Sequence, residues 1–81
     1  MILNLISPEK VLFSDRVKSV TLPGALGEMT ILKNHAPLIS LLCQGKIKIL
    51  TEDKREVFYQ IENGIVEVSE NVINVLVSLP F

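Results

Sequence analysis

The chain has no tryptophan, one histidine, one cysteine and only four other aromatic residues among its 81. Each scarcity removes a class of function. A lone Cys43 cannot form an intrachain disulfide, which fits a reducing compartment. One cysteine and one histidine are too few for a typical zinc site, which takes about four Cys, His or acidic ligands. Nucleophilic catalysis asks for a Cys or Ser beside a base that a third group orients. His35 and Cys43 are separated by eight positions with no Asp or Glu between them. Cys43 therefore reads as a small core hydrophobe. The "GALG" stretch, Gly24–Gly27, lacks the glycines and the following Lys and Ser/Thr of a phosphate loop. The acids fall mostly at turns and outward-facing positions, unlike the paired carboxylates of a glycosidase. Neither a catalytic set nor a cofactor is expected.

Charge of one sign is also missing. The eight Lys and Arg residues scatter from Lys10 to Arg55 and the net charge is −1. No basic stripe exists for nucleic acid or an anionic lipid surface. The longest apolar stretch, Ala36–Cys43, is interrupted by Ser40 and is far shorter than the roughly 20 residues that span a bilayer. "MILNLISPEK" has no basic segment or cleavage site, so a signal or transit peptide is not expected there. The reading is a soluble protein without lipid insertion. Its length allows one domain, residues 1–81.

What the chain does have is period-two alternation. Ile47 and Ile49 alternate with Lys46 and Lys48. Val57, Tyr59 and Ile61 share one face, as do Val66 and Val68, and Ile73, Val75 and Val77. These β-branched and aromatic residues suit a half-buried pleated surface. Turn signals recur at Ser7-Pro8, Ser14-Asp15, Pro23-Gly24 with Gly27, Gln44-Gly45, Glu52–Lys54, Asn63-Gly64 and Ser69–Asn71. The pattern predicts an all-β fold of about eight to ten short strands, a sandwich or a barrel.

One strand departs from alternation. In "PLISLLC", Leu38, Ile39, Leu41 and Leu42 load both faces, which implies burial on both sides. Hydrophobic residues make up 48% of a chain with little interior, so apolar surface should remain for a partner. The terminal "LVSLPF" leaves Leu79 and Phe81 with little chain to cover them. Just before "PLISLLC" stands His35, between Asn34, which tolerates a left-handed backbone, and Pro37, which extends Ala36. Together they describe a rigid elbow. The imidazole either braces that elbow through a backbone carbonyl or belongs to a docking loop, and the two roles are compatible.

The residues from Ile6 to Ile49 carry a resemblance. Ser7-Pro8-Glu9, Leu22-Pro23-Gly24, Gly27-Glu28, His35-Ala36-Pro37-Leu38 and Gly45 occur in that order. "NGIVEVSENVINVLV" follows from Asn63. The series resembles the N-terminal β-domain of the epsilon subunit of F-type ATP synthase over nearly the whole chain. Lys33-Asn34 stand where Pro-Gly is common in the family, and Asn63-Gly64 where two glycines are usual. Typical members continue into a two-helix hairpin, and this sequence stops at Phe81, so no hairpin-type inhibition of hydrolysis is expected.

The resemblance implies a small β-sandwich of about ten short strands in two sheets, serving as a non-catalytic rotor subunit of the central stalk. Its partners would be the gamma subunit and the c-ring, and through them the alpha/beta head. It would be peripheral to the membrane, on the cytoplasmic face of a bacterial inner membrane or the equivalent organelle face. Family contacts to the ring match Gly27, Glu28 and His35. Asn34, Pro37, Leu38 and Leu41 complete the expected interface, with the strand Leu38–Leu42 set against gamma. The alternative is a free-standing sandwich or OB-like module for a small ligand or peptide. Such a module would gather aromatics on one face, whereas Phe13, Phe58, Tyr59 and Phe81 are spread apart.

Overall fold

A computed structural model describes residues 1–80, so the expected exposure of Phe81 lies outside the described residues. Eight strands occur among them, and no helix. They are β1 (Ile2–Ile6), β2 (Val11–Gly24), β3 (Gly27–Leu32), β4 (Leu38–Leu42), β5 (Gly45–Thr51), β6 (Glu56–Ile61), β7 (Asn63–Ser69) and β8 (Val72–Ser78). The hydrogen-bonded order is β1-β8-β7-β4-β2-β5-β6, with β3 on β2 and a further β1–β2 pairing. All neighbours are antiparallel except β1 and β8, which run parallel.

Strand β2 explains why the count is eight, the lower end of the eight to ten strands read from the sequence. Fully extended, its 14 residues would reach roughly 43 Å at 3.3 Å per residue. The longest dimension of the molecule is 32 Å, so β2 must bend. Its first part pairs with β1 as far as Arg16, opposite Ile2. Its second part pairs with β5 from Val17 and with β3 from Ser19. The register shifts between Val17 and Ser19, and such an irregularity bends a strand and raises its twist. The chain therefore turns a corner inside one strand and joins two layers. Ser14-Asp15, expected to separate two strands, lies within β2 just before that corner.

Alternation places the core. Leu3, Leu5, Val66, Val68, Ile73, Val75 and Val77 point inward from one layer. Val17, Val20, Leu22, Ile31, Ile47, Ile49 and Ile61 meet them from the other. The only buried polar residues among those described are Ser7 and Thr51, and no buried side-chain N or O lacks a partner. All nine acids are exposed. Leu79 packs against the core and is half-buried rather than uncovered.

The registers define two ends. At the hairpin end lie the β2–β3 tip, the β4–β5 turn, Asn63-Gly64 and Ile6-Ser7. At the loop end lie the β3–β4 loop, the β7–β8 turn, Ile2 and Arg16. Two expectations are corrected at the hairpin end. Cys43 is exposed, not core, because inward alternation stops at Leu42 and Cys43 begins the turn. Its Sγ donates to Pro23 O at 3.4 Å. Asn63-Gly64 is not a turn: the bend falls on Glu62, and Asn63 already pairs with Ser78.

Gly64 owes its place to close approach. A Cβ built on it would stand 2.6 Å from the carbonyl oxygen of Leu76 and 3.0 Å from Val77 Cγ1. The first obstacle is backbone and cannot swing away. Gly64→Ala should therefore cost about 1–3 kcal/mol, the usual range for overpacking. A urea titration of parent and variant checks this, and equal midpoints would refute the close-approach account.

Candidate docking surface

The outer face of the β1-β8-β7-β4 layer carries an apolar line that crosses strands. Leu41 on β4 is opposite Ile65 on β7. Ile65 is opposite Leu76 on β8, Leu76 opposite Ile6 on β1, and Ile6 opposite Val11 on β2. Four inter-strand steps make a row roughly 19 Å long at about 4.8 Å each. Leu41 is 64% exposed, Val11 59%, Leu76 54% and Ile65 37%. Single exposed apolar residues are ordinary, but a contiguous set in register marks an interaction surface.

A polar row runs beside it. Ile39, Glu67, Asn74, Asn4 and Ser14 are likewise in register from β4 to β2. Ser14 Oγ donates to Asn4 Oδ1 at 2.8 Å, and Asn4 Nδ2 donates to Asn74 Oδ1 at 3.0 Å. Ile39, 70% exposed, extends the apolar surface across its end. Where the apolar row meets Ser7 and Pro8, a groove of about 550 Å³ is lined by Ile6, Asn63, Ile65 and Leu76. The face is thus apolar along one line and hydrogen-bonded along the next.

The expected interface residues divide between the two ends. Gly27 and Glu28 open β3 at the hairpin end, beyond an Ala25-Leu26 tip whose Leu26 is fully exposed. Gly27 has φ +135, a conformation that L side chains rarely adopt. The tip is clamped to β4–β5: Ala25 N–H donates to Leu41 O and Cys43 N–H to Pro23 O, each at 2.9 Å. Leu41 therefore belongs with Gly27 and Glu28.

Asn34, His35 and Pro37 lie at the loop end, all exposed. Roughly 17 Å of strand, from Gly27 to Leu32, separates the two groups at about 3.3 Å per residue. Asn34 has φ 65, the left-handed elbow expected of it. His35 N–H donates to Leu32 O at 3.1 Å. Its Nδ1 lies 2.6 Å from Ala36 O, and since a carbonyl only accepts, Nδ1 carries the proton. The imidazole braces its own loop. Leu38 turns inward with Leu42 and packs against the core, so the outward pair of β4 is Ile39 and Leu41.

Sequence reading overlooked Ile65, Leu76, Ile6, Val11 and Leu26, and had Ile39 as part of the strand Leu38–Leu42. Ile65 and Leu76 were open to detection, since each is an apolar residue at an outward position of an alternating strand. Their alignment with Leu41 needed the inter-strand register.

At the loop end the β5–β6 turn holds Asp53, the one group among the described residues with a clear titration shift. Thr51 Oγ1 donates to Asp53 Oδ1, and Arg55 Nε donates to Asp53 Oδ2 at 2.9 Å. The Thr51 hydroxyl foremost holds the carboxyl below its ordinary value of 3.8; desolvation opposes it, and the Arg55 guanidinium lowers it further. A lowered folded pKa stabilises the fold above the unfolded value, and that contribution is lost as pH falls from about 3.8 through the folded value. NMR titration should find Asp53 below the usual carboxylate range. Thr51→Val should return it toward 3.8; an unmoved midpoint would contradict the hydroxyl's role.

The fold and this face define a class: a two-layer β-sandwich with one outer face left apolar. The profile of the ATP synthase delta/epsilon chain β-sandwich domain matches residues 1–79. The chain belongs to that family. It is 45% identical to the ATP synthase epsilon chain of Chlorobium limicola over 69 residues, covering 85% of this chain and 78% of the relative. It is 47% identical to the epsilon chain of a Sulfurovum species over 70 residues, covering 86% and 55%. Among solved structures, a chain of the Euglena gracilis mitochondrial ATP synthase superposes with a TM-score of 0.89 at 23% identity, covering 95% of this chain and 49% of that one. A chain from the Tetrahymena thermophila mitochondrial ATP synthase central stalk and c-ring gives 0.83 at 21%, covering 96% and 63%. These two likenesses concern the fold. This chain spans about half the length of the Euglena chain.

Proposed function

We propose that this chain is a non-catalytic rotor subunit of an F-type ATP synthase. It docks on the gamma subunit and the c-ring, so that ion flow through the ring is coupled to ATP synthesis in the alpha/beta head. The observation that carries the reading is the apolar row Leu41–Ile65–Leu76–Ile6–Val11 on the face of a family β-sandwich. Its magnitude decides between driving forces. Burying one Leu, Ile or Val side chain contributes about 1.5–3 kcal/mol, whereas an exposed ion pair through Glu28 adds about 0–1 kcal/mol. Affinity for gamma therefore comes from the row, and charge sets orientation.

The β2–β3 tip, with Gly27 and Glu28, meets the ring. The His35 loop, with Asn34 and Pro37, forms a separate contact at the other end of the sandwich. As part of a membrane-associated complex the chain sits peripherally, on the cytoplasmic face of a bacterial inner membrane or the equivalent organelle face. Among the described residues no helix is long and apolar enough to cross a membrane. The alternative, a free-standing module for a small ligand or peptide, would use exposed aromatics. Phe58 alone among the described Phe and Tyr residues is exposed, and Lys46 covers its ring with Nζ 4.7 Å from the centroid.

Leu41→Asp should leave the fold intact, since the side chain is 64% exposed, and weaken binding to purified gamma at least about tenfold, or 1.4 kcal/mol. Calorimetric titration of parent and variant measures this. Unchanged affinity would remove the row from the gamma interface.

A further inference from the structure

Two asparagines separated by 37 residues meet at the loop end. The Asn34 N–H donates to Asn71 Oδ1 at 2.7 Å, and Asn71 Nδ2 donates back to Asn34 Oδ1 at 3.1 Å. Both residues hold left-handed backbones, at φ 65 and 61. The carbonyl of Asn71 accepts from Ile2 N–H at 2.9 Å. One residue of the β7–β8 turn thus ties the β3–β4 loop to the start of β1.

The other hydrogen bonds of the loop are local. Among the described residues they are His35 N–H to Leu32 O and the His35 ring to Ala36 O. Neither anchors the loop to the rest of the sandwich, and the loop residues from Lys33 to Pro37 are all exposed. The amide pair is the long-range tether. It is exposed too, and a bond of this kind contributes little to global stability. Its effect falls on the order of the loop it holds.

We propose that Asn71 is a positioning residue: through Asn34 it presets the His35 loop for docking. This rests on the docking reading above. A loop ordered in advance loses less conformational freedom on association. Asn71 itself touches no partner in this account and acts only through the loop.

Asn71→Gly tests it, because glycine keeps the left-handed turn while the amide is lost. Amide exchange and NMR order parameters of residues 33–37 are measured, with affinity for a purified gamma–c-ring subcomplex and thermal stability alongside. The expected result is Asn34 amide exchange faster by about tenfold, the size of a lost hydrogen bond. Order parameters from Lys33 to Ala36 fall, affinity drops about three- to tenfold from the added ordering cost, and the melting temperature barely moves. Asn71→Asp keeps an acceptor for the Asn34 N–H and should restore most of the loop order. A loop in Asn71→Gly as ordered as in the parent overturns the proposal, as does a disordered loop with unchanged affinity. A parent chain that binds neither gamma nor ring overturns the docking reading instead, while the exchange data still report on the tether.

Discussion

Strand β2 hydrogen-bonds to β1, β3, β4 and β5, and both layers depend on the corner it turns between Arg16 and Ser19. A chain this short cannot supply two independently stable sheets. Sharing one bent strand lets two layers enclose a common core of fifteen buried hydrophobic residues. The corner also sets the relative position of the functional surfaces. It sends the second half of β2 back to Gly24, where the hairpin tip meets the end of β4.

From that arrangement the exposed apolar face follows. With the inner positions of β1, β4, β7 and β8 filled by core residues, everything apolar at the alternate positions is left on the outside. Most strands put Lys, Glu, Asn or Thr there. Five strands put Leu, Ile or Val at one register level, which the core does not require. The opposite outer face shows the contrast: Thr30, Thr21, Lys48 and Phe58 form the corresponding row. One outer side of the sandwich is mostly polar along this row and the other is apolar, the asymmetry on which the docking proposal rests.

Much of this was legible in the residues. Ile47 and Ile49, Val66 and Val68, and Ile73, Val75 and Val77 all face the core, because alternation at constant parity survives the tertiary twist. The turns at Glu52–Lys54 and Ser69–Asn71 stand where Asn, Asp and their neighbours signal them, with Lys54, Glu70 and Asn71 at positive φ. The His35 elbow was legible too, since Asn34 and Pro37 restrict the backbone locally. What was hidden depends on contacts between distant segments. The continuity of β2 through Ser14-Asp15 is a matter of pairing partners, and Gly64 is required by the backbone of β8. Cys43 looked like core because it ends an apolar run, yet parity had already closed at Leu42. The row and the Asn34–Asn71 tether join residues whose sequence separation conveys nothing of their adjacency.

The most direct test of the account is the solvent accessibility of Ile and Leu methyl groups, measured by NMR in the free chain and in its complex with gamma. The account predicts that Ile6, Ile39, Leu41, Ile65 and Leu76 lose access to solvent while Leu32, on the opposite layer and 58% exposed in the free chain, keeps it. Protection of Leu32 with the five row-face methyls still open would contradict it.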